Sequence, residues 1–420
     1  MQSRRPIMLA LGLLPCAPAH AEVESESRGS LGLEARVFWP DDDPGTDVGN
    51  ISAVARLQAD LERQPVAARA RGFARADPQD EARTLLVPEE LWIQGEQGPL
   101  RVRFGFQMLN WTATEAFHPA DVINSRILDG GFENPEKRGE LIYSLRLDVH
   151  NGYVEVMAMP LFIPPVFPSE RSPLDLAPPG ARMDQSLVLQ RDGLLSDRRF
   201  QPQWAALVSQ TWGKADISVH VVWHIDRLLP FFVVDPDGAP RPVFQALTQV
   251  GGTYQHALGG DLLVKLESAY RRFEQPGTSM TPYGPVPERD HAIGALGFEY
   301  TWVTEGGAEL HPLLEAQLFV PLVRDFERLY APLFDHDVLV GFRFDGNDTQ
   351  SRAITFTAIV DMVTPEQLVL AAIYSQRVGE QWSTKTGLRI LRYPPDPDNP
   401  VFWENTNNAH HLFFELVRHV

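Results

Sequence analysis

The sequence predicts an all-β fold, a transmembrane antiparallel up-and-down β-barrel of about 18 strands with short periplasmic turns and long extracellular loops. Three observations predict it. Hydrophobic and polar residues alternate in many short segments, the connections between segments are short and long in turn, and no run after the N-terminal segment reaches the roughly 18 apolar residues of a spanning helix. Because lipid cannot pair with backbone N–H and C=O groups, strands cross a bilayer only as a closed barrel.

Segment 100–109 shows the alternation most clearly. Val102 and Phe104 share one face and Arg101 and Arg103 lie on the other, because successive side chains of a strand point to opposite sides. The same split recurs in segments 140–149, 216–226, 262–271, 309–320, 337–345 and 412–420. Soluble sandwiches alternate as well, so a secreted or periplasmic all-β binding protein is the alternative that this pattern leaves open.

The connections distinguish the two alternatives better. Short turns are predicted at 64–65, 97–98, 151–152, 213–214, 259–260, 306–307, 346–347 and 379–380. Longer polar or proline-rich stretches lie between the pairs, at 40–50, 77–86, 110–139, 161–200, 226–241, 274–290, 322–335, 361–366 and 392–409. This rhythm is typical of a transmembrane barrel. Segments 66–76, 87–95 and 384–391 fit least well, so about 16 strands is the alternative to about 18.

Residues 1–21 are predicted to be a cleaved signal peptide, which leaves a barrel over 22–420 and an outer-membrane location. Arg4 and Arg5 precede an apolar stretch, and Ala19-His20-Ala21 forms an A-x-A cleavage site. The only cysteine, Cys16, lies in the removed segment, so the mature chain is expected to have no disulfide and no thiolate metal site. A formal charge of −18 argues against nucleic acid as a partner.

The region 87–165 carries a family resemblance. Its residues are the strand 91–95, the strand 100–111 with Gly105, Gln107 and Trp111, and the tetrad D-V-I-N at 121–124. This region resembles a family of proteobacterial outer-membrane β-barrels of unknown function, related to alginate-export and porin-like barrels. The resemblance implies an outer-membrane channel or export barrel with an undefined substrate. Family members have arginine and glycine where this chain has Phe106 and Thr112, so no binding role transfers to these two positions.

Polar residues on the inward face of the predicted strands and in one loop are the candidate site. In a wide barrel such residues face water and set ion selectivity. The candidates are Arg101, Arg103, Gln107, Asp121, Asn124, Arg126, Arg146, Asp148, Glu155, His220, His224, Lys265, Glu267, Arg271, Glu309, Glu315, Arg343 and Arg389. Their mixed signs predict pairing across strands rather than one strongly selective field.

Two long loops have sequences that suggest a place inside the barrel. One interpretation folds the loop around Asp121, Asn124 and Arg126 into the lumen as a constriction. The favoured alternative is a structural loop in which Asp and Asn side chains bond local backbone groups. The loop 161–200 is stiffened by prolines, and its start, Leu161-Phe162-Ile163, is apolar enough to enter the barrel as a plug.

Two further groups of polar residues raise the hypotheses of catalysis and of metal binding. Ser218, His220 and His224 share a strand face with Asp216 and Asp226, a composition that could serve a hydrolase. This face is predicted to line the lumen, whereas an enzyme acting on membrane lipid needs its nucleophile at the lipid face, so we expect no enzyme. The acidic positions 41–43, 47, 396 and 398 match no EF-hand spacing, so no metal or cofactor is expected.

The sequence therefore favours a conduit for small polar or amphiphilic solutes, with an export role alongside periplasmic partners as an extension. A secreted or periplasmic binding protein and an outer-membrane hydrolase are the alternatives. The expected partners are outer-membrane lipid and lipopolysaccharide, the barrel-assembly machinery during biogenesis, and an unidentified small solute.

Overall fold

The computed structural model describes residues 23–39, 47–129, 135–228, 230–275, 280–394 and 402–420, and its main feature is one closed antiparallel sheet of 18 strands. The strands are β1 Glu24–Phe38, β2 Gly49–Arg63, β3 Val66–Ala76, β4 Leu85–Gln97, β5 Leu100–Gln107, β6 Glu140–Val149, β7 Gly152–Leu161, β8 Phe200–Trp212, β9 Ala215–Ile225, β10 Ala246–Leu258, β11 Leu262–Phe273, β12 His291–Tyr300, β13 Glu309–Pro321, β14 Asp337–Asp345, β15 Ala353–Asp361, β16 Leu368–Val378, β17 Trp382–Arg392 and β18 His411–His419. A short extension of β12, Trp302–Val303, also pairs with β13.

The first and last strands close the sheet. β1 and β18 pair antiparallel from Ser30 opposite His419 to Phe38 opposite His411. Every strand of the barrel therefore has two neighbours, and the sheet has no free edge strand. The prediction of an 18-strand barrel is confirmed. The 16-strand alternative is wrong, because the three segments that fit least well lie in β3, β4 and β17.

Alternation along the strands produces an apolar outside and a polar inside. On β11, Leu266 and Tyr270 are each 42% exposed on the outer surface, whereas Lys265 and Glu267 are 2% and 0% exposed on the inner face. An outer wall of exposed leucine, valine and aromatic side chains is stable only against hydrocarbon, because each such residue loses about 1.5 to 3 kcal/mol when it faces water instead.

The connections follow the predicted rhythm. Tight connections between described strands lie at one end of the barrel, at 64–65, 98–99, 150–151, 213–214, 259–261, 301–308, 346–352 and 379–381. The described parts of the other connections lie at the opposite end, at 39, 47–48, 77–84, 108–129, 135–139, 162–199, 226–228, 230–245, 274–275, 280–290, 322–336, 362–367, 393–394 and 402–410. Gly98 and Gly213 take positive φ angles of 59° and 63° in two-residue turns, a conformation that glycine adopts without steric cost.

The loops carry short elements of their own. A four-stranded sheet combines Leu187–Leu189, Leu195–Ser196, Phe231–Val234 and Pro240–Phe244, so it joins loop 162–199 to loop 226–245. Two-residue strands pair Arg126–Ile127 with Glu136–Lys137 and Met280–Thr281 with Gly284–Pro285. The 3₁₀ helices are Glu81–Arg83, Met183–Gln185, Arg328–Tyr330 and Phe402–Thr406.

Among the described residues, no helix combines the length and the apolar character that crossing a membrane requires.

The largest apolar cluster lies inside the barrel at the loop end. Leu174 of loop 162–199 and Phe117 of loop 108–139 belong to one cluster with inward-facing wall residues such as Leu339 and Leu391. Phe162, at the start of loop 162–199, instead packs with Val188 and Phe244 of the loop sheet. The middle of this loop therefore packs in the large cluster with Leu339 and Leu391, whereas its start packs against the loop sheet and the ends of β9 and β10.

Candidate functional site

The loop 108–139 folds into the barrel interior. It leaves the wall after β5 and returns to it at β6, and most of its residues from 111 to 127 are buried. The ring of Trp111 lies against the ring of His220 on β9, with 4.9 Å between centroids. We call residues 108–139 the inward loop, because its middle part contacts the strands on the far side of the lumen.

Glu267 on β11 is the main anchor of the inward loop. Its side chain is completely buried. The backbone N–H groups of Ala113, Thr114 and Ala120 donate to its carboxylate at 2.6, 3.0 and 3.2 Å, and the Thr114 hydroxyl donates at 2.7 Å. Hydrogen bonds to an ionised acceptor are about twice as strong as neutral ones, so this single carboxylate fixes a long stretch of loop backbone.

A second carboxylate two strands away repeats the arrangement. Glu315 on β13 accepts the backbone N–H groups of Glu115 and Ala116 at 2.6 and 3.0 Å. The side chain of Glu115 in turn accepts a hydrogen bond from Lys265 at 2.5 Å. The inward loop is therefore fastened to the opposite wall by hydrogen bonds to charged groups at neighbouring points.

The next stretch of the inward loop is held by neutral groups and one cation. Arg271 on β11 donates from Nη2 to the Pro119 carbonyl at 3.1 Å and from Nε to the Gln249 side-chain carbonyl at 2.8 Å. The amide nitrogen of Gln249 lies 3.0 Å from Nε2 of His220. These contacts place Pro119 against the wall at a deeply buried point.

The Asp121 to Arg126 segment combines a lumen position with a structural role. Asp121 pairs with Arg126 and Lys137, each at 2.6 Å. Burial alone would raise the pKa of Asp121, but the two cations outweigh it and hold that pKa below its usual value. Asn124 accepts the Leu109 N–H at 2.8 Å and donates to two backbone carbonyls. The loop enters the lumen, as expected for a constriction. Asn124, however, bonds backbone groups, as expected for a structural loop.

Two cavities lie on either side of the inward loop. The loop-side cavity, of about 180 Å³, is lined mainly by apolar residues such as Phe117 and Leu333 together with Arg271 and Arg289. The polar cavity, of about 430 Å³, lies nearer the tight turns and is lined by polar residues that include Lys265. His118, Asp121 and Arg126 border both cavities, so the inward loop forms the partition between them.

The structure divides the predicted lumen residues into two groups. Those gathered around the inward loop are Gln107, Asp121, Asn124, Arg126, His220, Lys265, Glu267, Arg271 and Glu315, and His224 lies buried nearby against Arg227. Those on the remainder of the inner wall are Arg101, Arg103, Arg146, Asp148, Glu155, Glu309, Arg343 and Arg389.

Several members of the second group form local pairs. Arg101 contacts Glu96 at 2.6 Å, Arg146 contacts Asp148 at 2.7 Å and Arg343 contacts Asp345 at 2.8 Å. These pairs are partly exposed, so each contributes no more than about 1 kcal/mol to stability. Along these strands, charges of opposite sign lie next to each other.

The proposed hydrolase residues do not form a catalytic arrangement. Ser218 shares a hydrogen bond with Thr253 at 2.7 Å, and His220 bonds with Gln249. No group of three or more His, Cys, Asp or Glu side chains in the described ranges could hold a metal ion. The acidic positions 41–43, 396 and 398 and the predicted signal peptide 1–21 with Cys16 lie outside those ranges, while Asp47 pairs with Arg171 at 2.5 Å.

Several buried arginines were not predicted from the sequence, namely Arg36, Arg75, Arg83, Arg227 and Arg289. Arg289, in loop 274–290, is 1% exposed and lines the loop-side cavity. Arg83, in loop 77–84, is 3% exposed and contacts Asp77 at 2.8 Å and Asp129 at 2.6 Å. Arg83 and Arg289 both lie in loops, where no alternation of apolar and polar residues marks an inward face. The one sequence feature that could have indicated them is an arginine close to acidic residues.

Comparison with known proteins supports the architecture. No family model matches the chain, and no curated protein matches it. Among solved structures, OccAB1 of Acinetobacter baumannii has a TM-score of 0.53 at 10% identity, with 95% of this chain and 96% of that chain covered. OccK3 (OpdO) of Pseudomonas aeruginosa has a TM-score of 0.51 at 11% identity over 94% and 95% of the two chains.

A third solved structure is Wzi of Escherichia coli, described as an outer-membrane protein involved in group 1 capsule assembly and a carbohydrate-binding β-barrel. Its TM-score is 0.50 at 8% identity, over 93% of this chain and 84% of that chain. This chain has the fold of a bacterial outer-membrane β-barrel. At such low identities the likeness establishes the fold alone, so the resemblance of region 87–165 to one particular family stays a prediction.

Proposed function

We propose that the protein is a porin-like conduit of the outer membrane that passes small polar or amphiphilic solutes. The observation that carries this proposal is the inward loop, which divides a polar-walled lumen into two cavities and is fastened to the far wall through Glu267 and Glu315. A loop of this kind narrows the lumen and brings charged and apolar side chains to the narrowest point, where a solute is selected by size and charge.

The location follows from the same structure. A closed sheet with an apolar exterior requires hydrocarbon around it, and closure satisfies its backbone groups there. We therefore propose the outer membrane as its site, with lipid and lipopolysaccharide around the wall, delivery by a cleaved signal peptide over 1–21, and folding by the barrel-assembly machinery. The tight-turn end faces the periplasm and the long loops face outward.

The conduit would be narrow at rest. Loop packing fills the loop end, where the Phe117 and Phe334 rings contact each other with 5.4 Å between centroids. The polar cavity and the paired charges on the open wall offer a hydrated path from the tight-turn end as far as the inward loop. Passage beyond that point requires the loop contacts to loosen, so we expect small conductance steps rather than a wide open pore.

Planar-bilayer recording of the purified full chain is the direct test. We expect discrete small steps, larger ones when residues 113–120 are replaced by a short glycine-serine linker, and heat-modifiable migration of both proteins on gels. Recovery of native protein in the soluble periplasmic fraction, or silent bilayers with both proteins, would overturn the proposal. An export role would appear in addition as a periplasmic protein that co-purifies with the barrel.

A further inference from the structure

The loop-side cavity has a composition that the conduit proposal does not explain. Its lining is mostly aromatic, aliphatic and proline side chains, namely Phe117, Phe167, Phe232, Phe273, Leu333 and Phe334 among others. A passage for hydrated ions alone would need polar walls. The apolar lining therefore points to a solute with a hydrophobic part.

Charged side chains also face this cavity, and they do not balance. Three arginines line it, Arg126, Arg271 and Arg289, against two aspartates, Asp121 and Asp226. Among the described residues of the lining, the arginines exceed the aspartates by one. A buried charge without a counter-ion costs several kcal/mol, so the cavity favours an occupant that carries one negative charge.

Of these three arginines, Arg271 is the one that forms no ion pair with a described carboxylate, and Asp226 acts on it only from a longer distance. Arg271 is 5% exposed, and its hydrogen bonds go to the Pro119 carbonyl and the Gln249 side chain, both of which are neutral. Arg126, by contrast, has Asp121 at 2.6 Å, and Arg289 has Asp226 at 3.9 Å and stacks on Phe273 at 4.2 Å. A guanidinium has five N–H donors, so Arg271 retains donors for a ligand while it holds the loop.

The volume limits the size of the occupant. A cavity of about 150 Å³ lined by aliphatic and aromatic residues holds one benzene molecule. The loop-side cavity, of about 180 Å³, is only slightly larger. A single six-membered ring or a short branched chain with one acid group fits this space, whereas a long acyl chain or an oligosaccharide does not.

We propose that the loop-side cavity is a binding site for a compact hydrophobic monoanion, a ring-sized or branched-chain carboxylate or sulfonate. Arg271 binds the acid group, and Phe117, Phe273 and their apolar neighbours enclose the hydrocarbon part. The inference rests on the proposed function in one respect, since the ligand would be a solute in passage. Binding itself can be measured without conduction.

The test is isothermal titration calorimetry of the full chain in detergent micelles, with empty micelles as the blank. The probes are cyclohexanecarboxylate and cyclohexanesulfonate, with the neutral cyclohexanecarboxamide and the cationic cyclohexylmethylammonium as matched comparisons. We expect both anions to bind at least about tenfold more tightly than the amide, because a charged hydrogen-bonded pair in a buried site contributes at least about 1.4 kcal/mol. The cation should not bind measurably.

Two variants separate the acid contact from the apolar enclosure. Arg271→Gln should weaken both anions at least about tenfold and leave the amide unchanged. Ala116→Leu adds bulk to the cavity lining, so it should weaken all ring-sized probes together. Arg69→Gln removes a lumen arginine that pairs with Asp60 and lies outside the cavity lining, and should leave all affinities within about twofold. Heat-modifiable migration verifies that each variant is folded.

Equal affinity for anion and amide, or unchanged anion binding in Arg271→Gln, would overturn the proposed site, as would the absence of binding at millimolar probe. The result is independent of the bilayer recording. Binding by a barrel that never conducts would refute the conduit and preserve the site, and conduction without binding would do the reverse.

Discussion

Two loops fill the barrel, and they are held by opposite kinds of interaction. The inward loop is fastened by hydrogen bonds from its backbone to two wall carboxylates, Glu267 and Glu315. The middle of loop 162–199 is held by apolar contact, with Leu174 fully buried in the cluster at the loop end, while its strand Leu187–Leu189 pairs with loop 226–245. Both loops lie across the lumen, but the forces that keep them there depend on different properties of the surroundings.

The difference teaches which loop is able to move. Contacts to ionised groups depend on geometry and on protonation, so they can be exchanged for contacts with water or with a charged solute. Apolar burial depends on the area removed from water and changes little with a passing ion. The inward loop is therefore the adjustable element and loop 162–199 the permanent one.

The largest effect is expected from removal of the main anchor. Glu267→Ala leaves three buried backbone N–H groups without an acceptor, at a cost of about 1 to 3 kcal/mol each, so the docked inward loop should lose about 4 kcal/mol or more. Hydrogen exchange read by mass spectrometry should become about a thousandfold faster at 113–120. Exchange in 172–177 should stay much closer to wild type.

Glu415→Ala is the matched control for this variant. Glu415 also faces the lumen but pairs with Lys385 at 3.1 Å and is partly exposed. It should leave exchange at 113–120 unchanged. Equal protection of 113–120 in wild type and Glu267→Ala would show that carboxylate anchoring is not what holds the inward loop.

The second effect tests the apolar loop. Leu174→Ala leaves a cavity in a fully buried cluster and should destabilise the packed loop by about 3 kcal/mol. Exchange should accelerate at 172–177, with a smaller change at 113–120 because Phe117 belongs to the same cluster. Leu194→Ala, on the same loop but 58% exposed, should be silent. Similar acceleration in both variants would contradict the assigned role of burial.

The third effect is a pH dependence of opposite sign in the two loops. Burial raises the pKa of Asp175 in loop 162–199 to about 7. An acid with a raised folded-state pKa stabilises the folded form most below its unfolded value of 3.8, and this stability is lost as the pH rises to about 7. Arg126 and Lys137 outweigh burial and lower the pKa of Asp121, so its stabilisation is present above 3.8 and is lost only as the pH falls below that value.

Hydrogen exchange corrected for the intrinsic chemical rate measures this contrast. Between pH 4 and pH 7, protection at 172–177 should decrease as the pH rises, and protection at 121–126 should stay level and decrease only in stronger acid. Asp175→Asn should remove the first slope and Asp121→Asn the second. Slopes of the same sign in both loops would refute the comparison.

The smallest effect concerns charges that anchor neither loop. Arg343→Gln breaks an exposed pair with Asp345 near the tight turns, where a salt bridge contributes no more than about 1 kcal/mol. Exchange in both loops should not change, and the ratio of cation to anion permeability in a salt gradient should rise by less than about twofold. A larger change in the permeability ratio would mean that charges of the inner wall away from the inward loop set the selectivity.

The sequence was sufficient to predict the wall. Segments such as 100–109 and 262–271 alternate because a strand between lipid and water has two chemically different faces, and this difference is visible within a few residues. The short turns were predictable for the same reason, since Gly98 and Gly213 mark local backbone conformations. Strand number followed from counting these local signals.

The positions at which the loops pack inside the barrel could not be predicted, because they depend on contacts between residues far apart in the chain. The N–H groups of Glu115 and Ala120 reach Glu315 and Glu267, which are 200 and 147 positions away. Nothing near these carboxylates distinguishes them from Glu309, whose side chain only lies beside His311 at 3.3 Å. In the same way, no feature of the sequence indicates that Arg343 pairs with a carboxylate whereas Arg271, within the described residues, bonds neutral groups.

The attachment of the inward loop also has a mechanical consequence. A single-layered cylinder of 18 strands keeps its circumference through interstrand pairing, but pairing does little to keep its cross-section round when the surrounding lipids press on it. The inward loop starts at β5 and is bound to β11 and β13, which lie between a third and nearly half of the circumference away. The loop therefore links distant strands across the lumen. The contacts that obstruct the lumen also resist flattening of the barrel's cross-section.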